Sequence, residues 1–407
     1  MERLRRAVKW KVMEPSRTDV LLWLPGGMRR GWVGGAPGVI EVAGDLSGLD
    51  SSVAATPDGA AVFLIWPREG APCLARTSLL RRRLQRLLRE PTQPSRWLNL
   101  RAVASRIEYW LVGSRLESVL RFYELAKRHF PEKYLWLVKL RMPPYLKLIL
   151  SNPFPRTQIT THVGGARAYY YGPFRSRSSA EQFQSQVLDL FQVRRCQDDL
   201  LPSALHPGCI YGEMNMCLRP CQEAVSREEY QSEVDRAMEF LSSGGRSLVE
   251  TIASARDRLS EEMNFEEAAR LHKRLEKIQQ VLRLRDEVAG DIGRLCGVAV
   301  AASAVAGAVE LWFFCRGGWQ APVRISFEVV EGKPVSLDQR LREAVASLEL
   351  KKASVRERQE HLALLARWYY SSWRDGEWIA LEGLEQIPYR KLVRAVSRVA
   401  GGQAVPG

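Results

Sequence analysis

Four cysteines, Cys196, Cys209, Cys217 and Cys221, fall in one short segment as C-x12-C-x7-C-x3-C, and no other feature constrains the chain as strongly. The other three of the seven, Cys73, Cys296 and Cys315, are scattered through apolar contexts and read as buried thiols. The count is odd, and the Met-Glu-Arg-Leu-Arg-Arg start leads into Lys-Trp-Lys without an apolar h-region. The expectation is therefore an intracellular chain with no secretory signal and no disulfide framework. Four clustered thiols in such a chain point to a metal site. Zinc and an iron–sulfur cluster both accept four thiolates. Zinc sites more often use paired C-x2-C knuckles, which this segment lacks, so the spacing favours iron–sulfur and leaves zinc open.

Composition narrows the setting. At roughly 150 residues per domain, 407 residues predict two to three domains. With 46% hydrophobic and 26% charged residues the chain is an ordinary globular one, which excludes disorder and fibre. The longest apolar stretch, Leu295 to Val309, is too short to span a bilayer and reads as buried strands. A cytoplasmic protein with no membrane partner follows. Lys and Arg number 60 against 46 Asp and Glu, a net charge of +14 that would attract nucleic acid or anionic lipid.

Along the chain, short strands and turns to residue 55 give way to a buried strand at Ala60 to Trp66 and a second around Cys73. A helix from Leu79 to Leu88 carries Arg81, Arg82, Arg83 and Arg86. A strand at Arg106 to Val112 leads into a long helix, Ser114 to Arg128. Extended segments are expected at Tyr134 to Leu140 and Tyr145 to Leu150. Beyond the cysteines, Ser226 and Glu229 form a capping box for a helix burying Tyr230, Val234, Met238 and Leu241, and Gly244-Gly245 stops it.

A helical hairpin follows. Leu248, Ile252, Ala255, Leu259 and Met263 mark one helix face; Asn264 caps the next helix, with Phe265, Ala268, Ala269, Leu275 and Ile278 as its stripe. A hairpin of about 35 residues has too little interior to stand alone and needs a partner surface. After Gly290 the pattern returns to strands, then helices at Leu337 to Leu350 and Arg358 to Ser371, then Trp378 to Leu381.

Tyr170-Tyr-Gly-Pro-Phe174, Arg195-Cys196, Cys209 with Tyr211, and Cys217-Leu-Arg-Pro-Cys221 together resemble the UvrC family of DNA excinucleases. Asn264-Phe-Glu-Glu-Ala-Ala-Arg-Leu271 resembles the family's UVR motif at the matching distance. The resemblance implies an α+β chain. Its parts are an N-terminal extension (1–55), a small mixed α/β domain similar to GIY-YIG nucleases (56–150), the YGPF and cysteine-cluster region (151–245), a UVR hairpin (246–284) and a C-terminal α/β region (285–400).

For the first domain the resemblance implies phosphodiester hydrolysis by two tyrosines, an arginine and a metal-holding glutamate. Arg83 matches the arginine, but the tyrosine positions are Phe63 and Cys73 and the glutamate position is Phe122. A phenyl ring cannot hold a hard cation, so the nuclease and its divalent metal are expected to be lost. Arg83 then remains as a phosphate-binding residue, with Arg76, Arg81, Arg82 and Arg86 as further DNA-backbone contacts.

The resemblance further implies a 4Fe-4S cluster at the four cysteines, with zinc as the alternative. It implies a UvrB-type partner docking on the hairpin through Phe265, Glu266, Ala269 and Arg270. The family's second, RNase H-like nuclease needs a D-D-H set. Asp286, Asp291, Asp338, Asp375 and His361 do not supply one in an apolar strand, so that nuclease is expected to be absent. The chain is then a truncated, non-catalytic accessory or regulatory paralogue in nucleotide excision repair. The competing expectation is an endonuclease with a divergent site, Glu117 or Glu124 holding the metal beside Arg83 and Tyr123. A third is a sensor whose DNA or partner affinity follows the cluster.

Overall fold

The structure is a computed structural model, and it describes residues 35–90, 99–165, 167–197, 200–327 and 335–402. Helices and antiparallel sheets occupy separate stretches of the chain, so the fold is α+β. It divides into two compact units, residues up to Lys139 together with the Ser303–Ala306 turn, and the remainder.

The first unit contains β1 (Gly38–Glu41), α1 (Leu49–Ala54), β2 (Ala61–Pro67), β3 (Cys73–Thr77), α2 (Leu80–Leu87), α3 (Leu100–Val103), β4 (Ala104–Leu111), α4 (Arg115–His129) and α5 (Tyr134–Val138). Its sheet has the order β1-β4-β2-β3 and is antiparallel throughout. The extension expected to end at residue 55 in fact supplies β1 and α1, because Ile40, Leu49 and Val53 complete the cluster around Phe63 and Leu84. Strand alternation gives the sheet two apolar faces. Ala61, Phe63, Ile65, Cys73 and Ala75 pack on α1 and α2, while Arg76, of the other parity, meets α4. The stretch expected to be extended from Tyr134 is the short helix α5. Pro131 ends the preceding helix, and Tyr134, Leu137 and Val138 then turn inward together at helical spacing.

The second unit opens with β5 (Tyr145–Ile149), β6 (Arg156–Thr160) and β7 (Ala168–Gly172). There follow α6 (Arg177–Leu188), the short α7 (Ile210–Glu213), α8 (Arg227–Ser242), α9 (Arg246–Glu261), α10 (Phe265–Arg283) and β8 (Gly290–Asp291). The sheet order is β6-β5-β7-β8. Tyr145–Ile149, expected in the first domain, pairs with both β6 and β7, so the boundary lies nearer residue 140 than 150. Ser226 and Glu229 form the expected capping box on α8. Tyr171 stacks on Phe183 with ring centroids 5.2 Å apart, fastening α6 to the sheet.

The base of the hairpin belongs to this same core. Ile252, Leu275, Ile278 and Val281 join Tyr230, Phe240 and Tyr171 in one cluster, which is the partner surface the hairpin needs in cis. Met263, expected on the inner face of its first helix, lies in the turn with φ 56° and is exposed.

The C-terminal part has β9 (Cys296–Ala302), β10 (Ala308–Cys315), β11 (Gly318–Trp319), β12 (Val323–Ser326), α11 (Leu337–Ala346), α12 (Val355–Tyr369), β13 (Glu377–Leu381) and α13 (Tyr389–Gly402). Its strands run β11-β10-β9-β13, all antiparallel, with β12 also on β10. Gly297 is required beneath Trp378, where a β-carbon would collide with the indole.

Cys296 and Cys315 form a disulfide, against the expectation of free thiols. The cause is register: the β9–β10 ladder runs to Gly297 opposite Phe314, so the next residues face each other with α-carbons 4.6 Å apart. Asp291 lies in β8, Asp338 pairs with Arg342, Asp375 accepts the Trp368 indole N–H, and His361 accepts the Trp319 backbone N–H. The buried carboxylate on the apolar strands is Glu310, paired with Arg324 at 2.8 Å. Among the described residues, no helix is long and apolar enough to cross a membrane.

Candidate functional sites

In the first unit the residues singled out by sequence lie on both sides of the sheet. Phe63 and Cys73 are wholly buried in one apolar cluster, and α2, which carries Arg83, contributes Leu80 and Leu84 to it. Phe122 is buried on α4 and faces the other side. The Arg76 guanidinium lies over its ring, 5.6 Å from the centroid. A cation on an aromatic face is held by the ring quadrupole, so Arg76 and Phe122 join the sheet to α4.

Glu117 is committed to structure. Its Oε2 accepts the Gly113 backbone N–H at 2.9 Å and its Oε1 pairs with Arg121 at 3.2 Å, both side chains being buried. Tyr123 is buried, with its hydroxyl 3.2 Å from Lys127 Nζ. The arginines of α2 have unequal situations. Arg83 is buried, Arg81 is half-buried and donates to the Thr56 carbonyl at 2.7 Å, and Arg82 is exposed beside Asp58. Arg86 is exposed and Arg76 half-buried. Arg82 and Arg86 thus offer charge to solvent directly.

The cysteine segment connects α6 to α8. Its entry is fixed by Arg194, only 1% exposed, whose backbone N–H donates to the Tyr230 hydroxyl and whose Nε donates to the Phe154 carbonyl. The Tyr230 hydroxyl in turn donates to the Pro155 carbonyl at 2.7 Å. Arg194 also places Nη1 3.3 Å from Cys196 Sγ, and the Arg219 N–H points at Cys217 Sγ at 3.4 Å. The sequence pattern points to Arg195 here, which instead pairs with Asp189 and lies over the Tyr211 ring. The only sequence signal for Arg194 is its position two residues before a cysteine.

Cys217 and Cys221 are buried, Cys196 is half-buried and Cys209 exposed. Burial pushes the Cys217 thiol up to about 11, and the neighbouring Cys196, Cys209 and Cys221 add to the rise. Burial likewise raises Cys221, with Cys209 and Cys196 adding to it. The four sulfurs therefore share one electrostatic neighbourhood. Among the described residues, no group of three or more potential ligands already stands in metal-holding geometry. The donor set fits a thiolate-bound group chemically: four sulfurs, an N–H···S donor and a buried guanidinium that compensates negative charge.

At the hairpin tip, Phe265 is 65% exposed, and Glu266, Ala269 and Arg270 are exposed beside it. Their spacing places all four on one side of α10. Asn264 caps the helix by accepting the Glu267 N–H, and Arg270 pairs with Glu267 at 2.6 Å. The result is an apolar strip, Phe265 and Ala269, flanked by an acid and a base.

Residues 143–240 match the family model described as UvrC/Cho excinuclease, middle domain. The chain is similar to UvrABC system protein C of Moorella thermoacetica, 30% identical over 271 residues, covering 66% of this chain and 44% of the relative. It is 32% identical over 186 residues to the same-named protein of Alcanivorax borkumensis, covering 44% and 30%. Against that of Methanothermobacter thermautotrophicus it is 26% identical over 227 residues, covering 56% and 38%. The chain thus spans less than half the length of these relatives. No solved structure matches.

Proposed function

We infer that this relative of UvrABC system protein C, built around a UvrC-type middle domain, acts in nucleotide excision repair as a non-catalytic accessory or regulatory protein. It binds the DNA backbone through the first unit and a UvrB-type partner through the hairpin, in the cytoplasm. The observation that carries this reading is Phe122, buried under the Arg76 guanidinium where the family's metal carboxylate is expected. Phosphate affinity survives such a replacement because it needs only positive charge, whereas hydrolysis needs a metal or an activated water.

The divergent-nuclease reading is the weaker one. Through Glu117 it asks that carboxylate to leave both the Gly113 N–H and Arg121, and breaking a buried ion pair costs about 3–5 kcal/mol, which leaves the half-buried Glu124 as its remaining ligand.

Cys196, Cys209, Cys217 and Cys221 would hold a 4Fe-4S cluster, or zinc, as a structural clasp. Such a group supplies a covalent tie across a loop otherwise held by hydrogen bonds. Arg194 and the Arg219 N–H would orient and neutralise the thiolates.

The hairpin supports docking in trans because its base is already satisfied by the core while its tip is not. Capture of the UvrB-type protein by the full chain, with and without Phe265→Ala, tests the partner reading. Binding unaffected by the substitution would contradict the assignment to the tip.

A further inference from the structure

The helix α5, which sequence patterning leaves without a role, presents an exposed aromatic side chain in the first unit. Tyr134, Leu137 and Val138 are buried and hold the helix in place. Trp136 is 58% exposed, so its indole is not needed for that packing. Lys133 at the N-cap and Lys139 at the C-cap are also exposed. The two lysines flank the helix at its ends, with Trp136 at its middle. From Lys127 to Lys139 the chain carries Lys127, Arg128, Lys133 and Lys139 against the single carboxylate of Glu132.

An exposed tryptophan between two lysines matches a particular occupant. A polyanion satisfies the lysines, and a flat aromatic base satisfies the indole face; an unpaired nucleic-acid strand offers both at a spacing of a few ångströms. A duplex offers the phosphates alone, since its bases are already stacked. A protein partner of ordinary composition would leave the cationic excess unanswered.

We propose that α5 is a single-strand contact, with Trp136 as a stacking platform for one unpaired base and Lys133 and Lys139 as phosphate contacts. This rests on the DNA-binding reading above and adds to it a preference for locally unpaired DNA. The four arginines of α2 carry charge but no aromatic, so base stacking falls to α5.

The test measures binding of the full chain to a labelled oligothymidylate and to a duplex, by fluorescence anisotropy across a salt series. Trp136→Ala and Trp136→Leu should each weaken single-strand binding about tenfold, and Trp136→Phe should retain most of it. Duplex binding should change little. Combined Lys133→Ala and Lys139→Ala should weaken both and flatten the salt dependence. Because Trp136 is exposed, melting temperatures should match the native chain's. Native affinity in Trp136→Ala would overturn the assignment while leaving the DNA reading intact. Native affinity in Trp136→Leu alone would replace stacking with simple apolar contact and overturn it equally. A native chain that binds neither probe would overturn the DNA reading and this inference with it.

Discussion

The guanidinium of Arg76, on the third strand of the first sheet, lies over the buried ring of Phe122 on the long helix α4. The pair joins sheet to helix where a metal-holding carboxylate is expected. Phe122→Ala should destabilise the first unit by about 3–5 kcal/mol, mostly through the cavity left behind. Arg76→Ala should cost only about 0.5–1 kcal/mol but weaken DNA binding. Urea melts and binding isotherms on the two variants separate these effects. Equal stability losses would contradict the division of roles.

The cysteine site predicts a spectroscopic signature. Protein purified without oxygen should be brown and contain iron; Cys217→Ser should lose both, while Cys73→Ser should lose neither. Stoichiometric zinc and no colour would select the alternative metal. Metal-free protein with native stability would remove the site altogether.

The hairpin should respond differently at its two ends. Leu275→Ala, at the buried base, should cost about 2–5 kcal/mol. Phe265→Ala, at the exposed tip, should leave the melting temperature unchanged and abolish capture of the UvrB-type protein.

His129 gives a pH dependence with a definite sign. Burial, followed by the neighbouring Arg128 charge, holds its imidazole down to about 4, with its ring edge-on to Trp66. In the unfolded chain it titrates near 6.5. Its effect is nil above that value, and stability is lost as pH falls from about 6.5 to about 4. The loss is at most about 3 kcal/mol. His129→Phe should remove that component, so its stability relative to the native chain should rise between pH 7.5 and pH 4.5. A constant difference between the two proteins would contradict it.

What could be read in sequence was local. The Ser226–Glu229 capping box and the Asn264 cap each follow from residues a turn apart, and both stand; of the hairpin stripe Ile252, Ala268, Leu275 and Ile278 are buried, while Met263, Phe265 and Ala269 are exposed. What could not be read depended on partners far along the chain. Gly38–Glu41 becomes a strand because Ile107 and its neighbours lie beside it. Cys296 meets Cys315 only through the register of two strands. Arg194 has one sequence signal, its place two residues before Cys196, and its burial follows only when Tyr230 and Phe154 close around it. Trp136 is one apolar residue in a run of apolar residues, and only the turn of α5 leaves it outside.

The central claim is that the first unit contacts DNA without cutting it. The most direct measurement incubates damaged supercoiled plasmid with the pure chain and Mg or Mn, scoring retardation and nicking in the same gel. Retardation, no nicking, and weaker retardation by combined Arg82→Ala and Arg86→Ala are expected. Metal-dependent nicking that disappears in Arg83→Ala would contradict the claim.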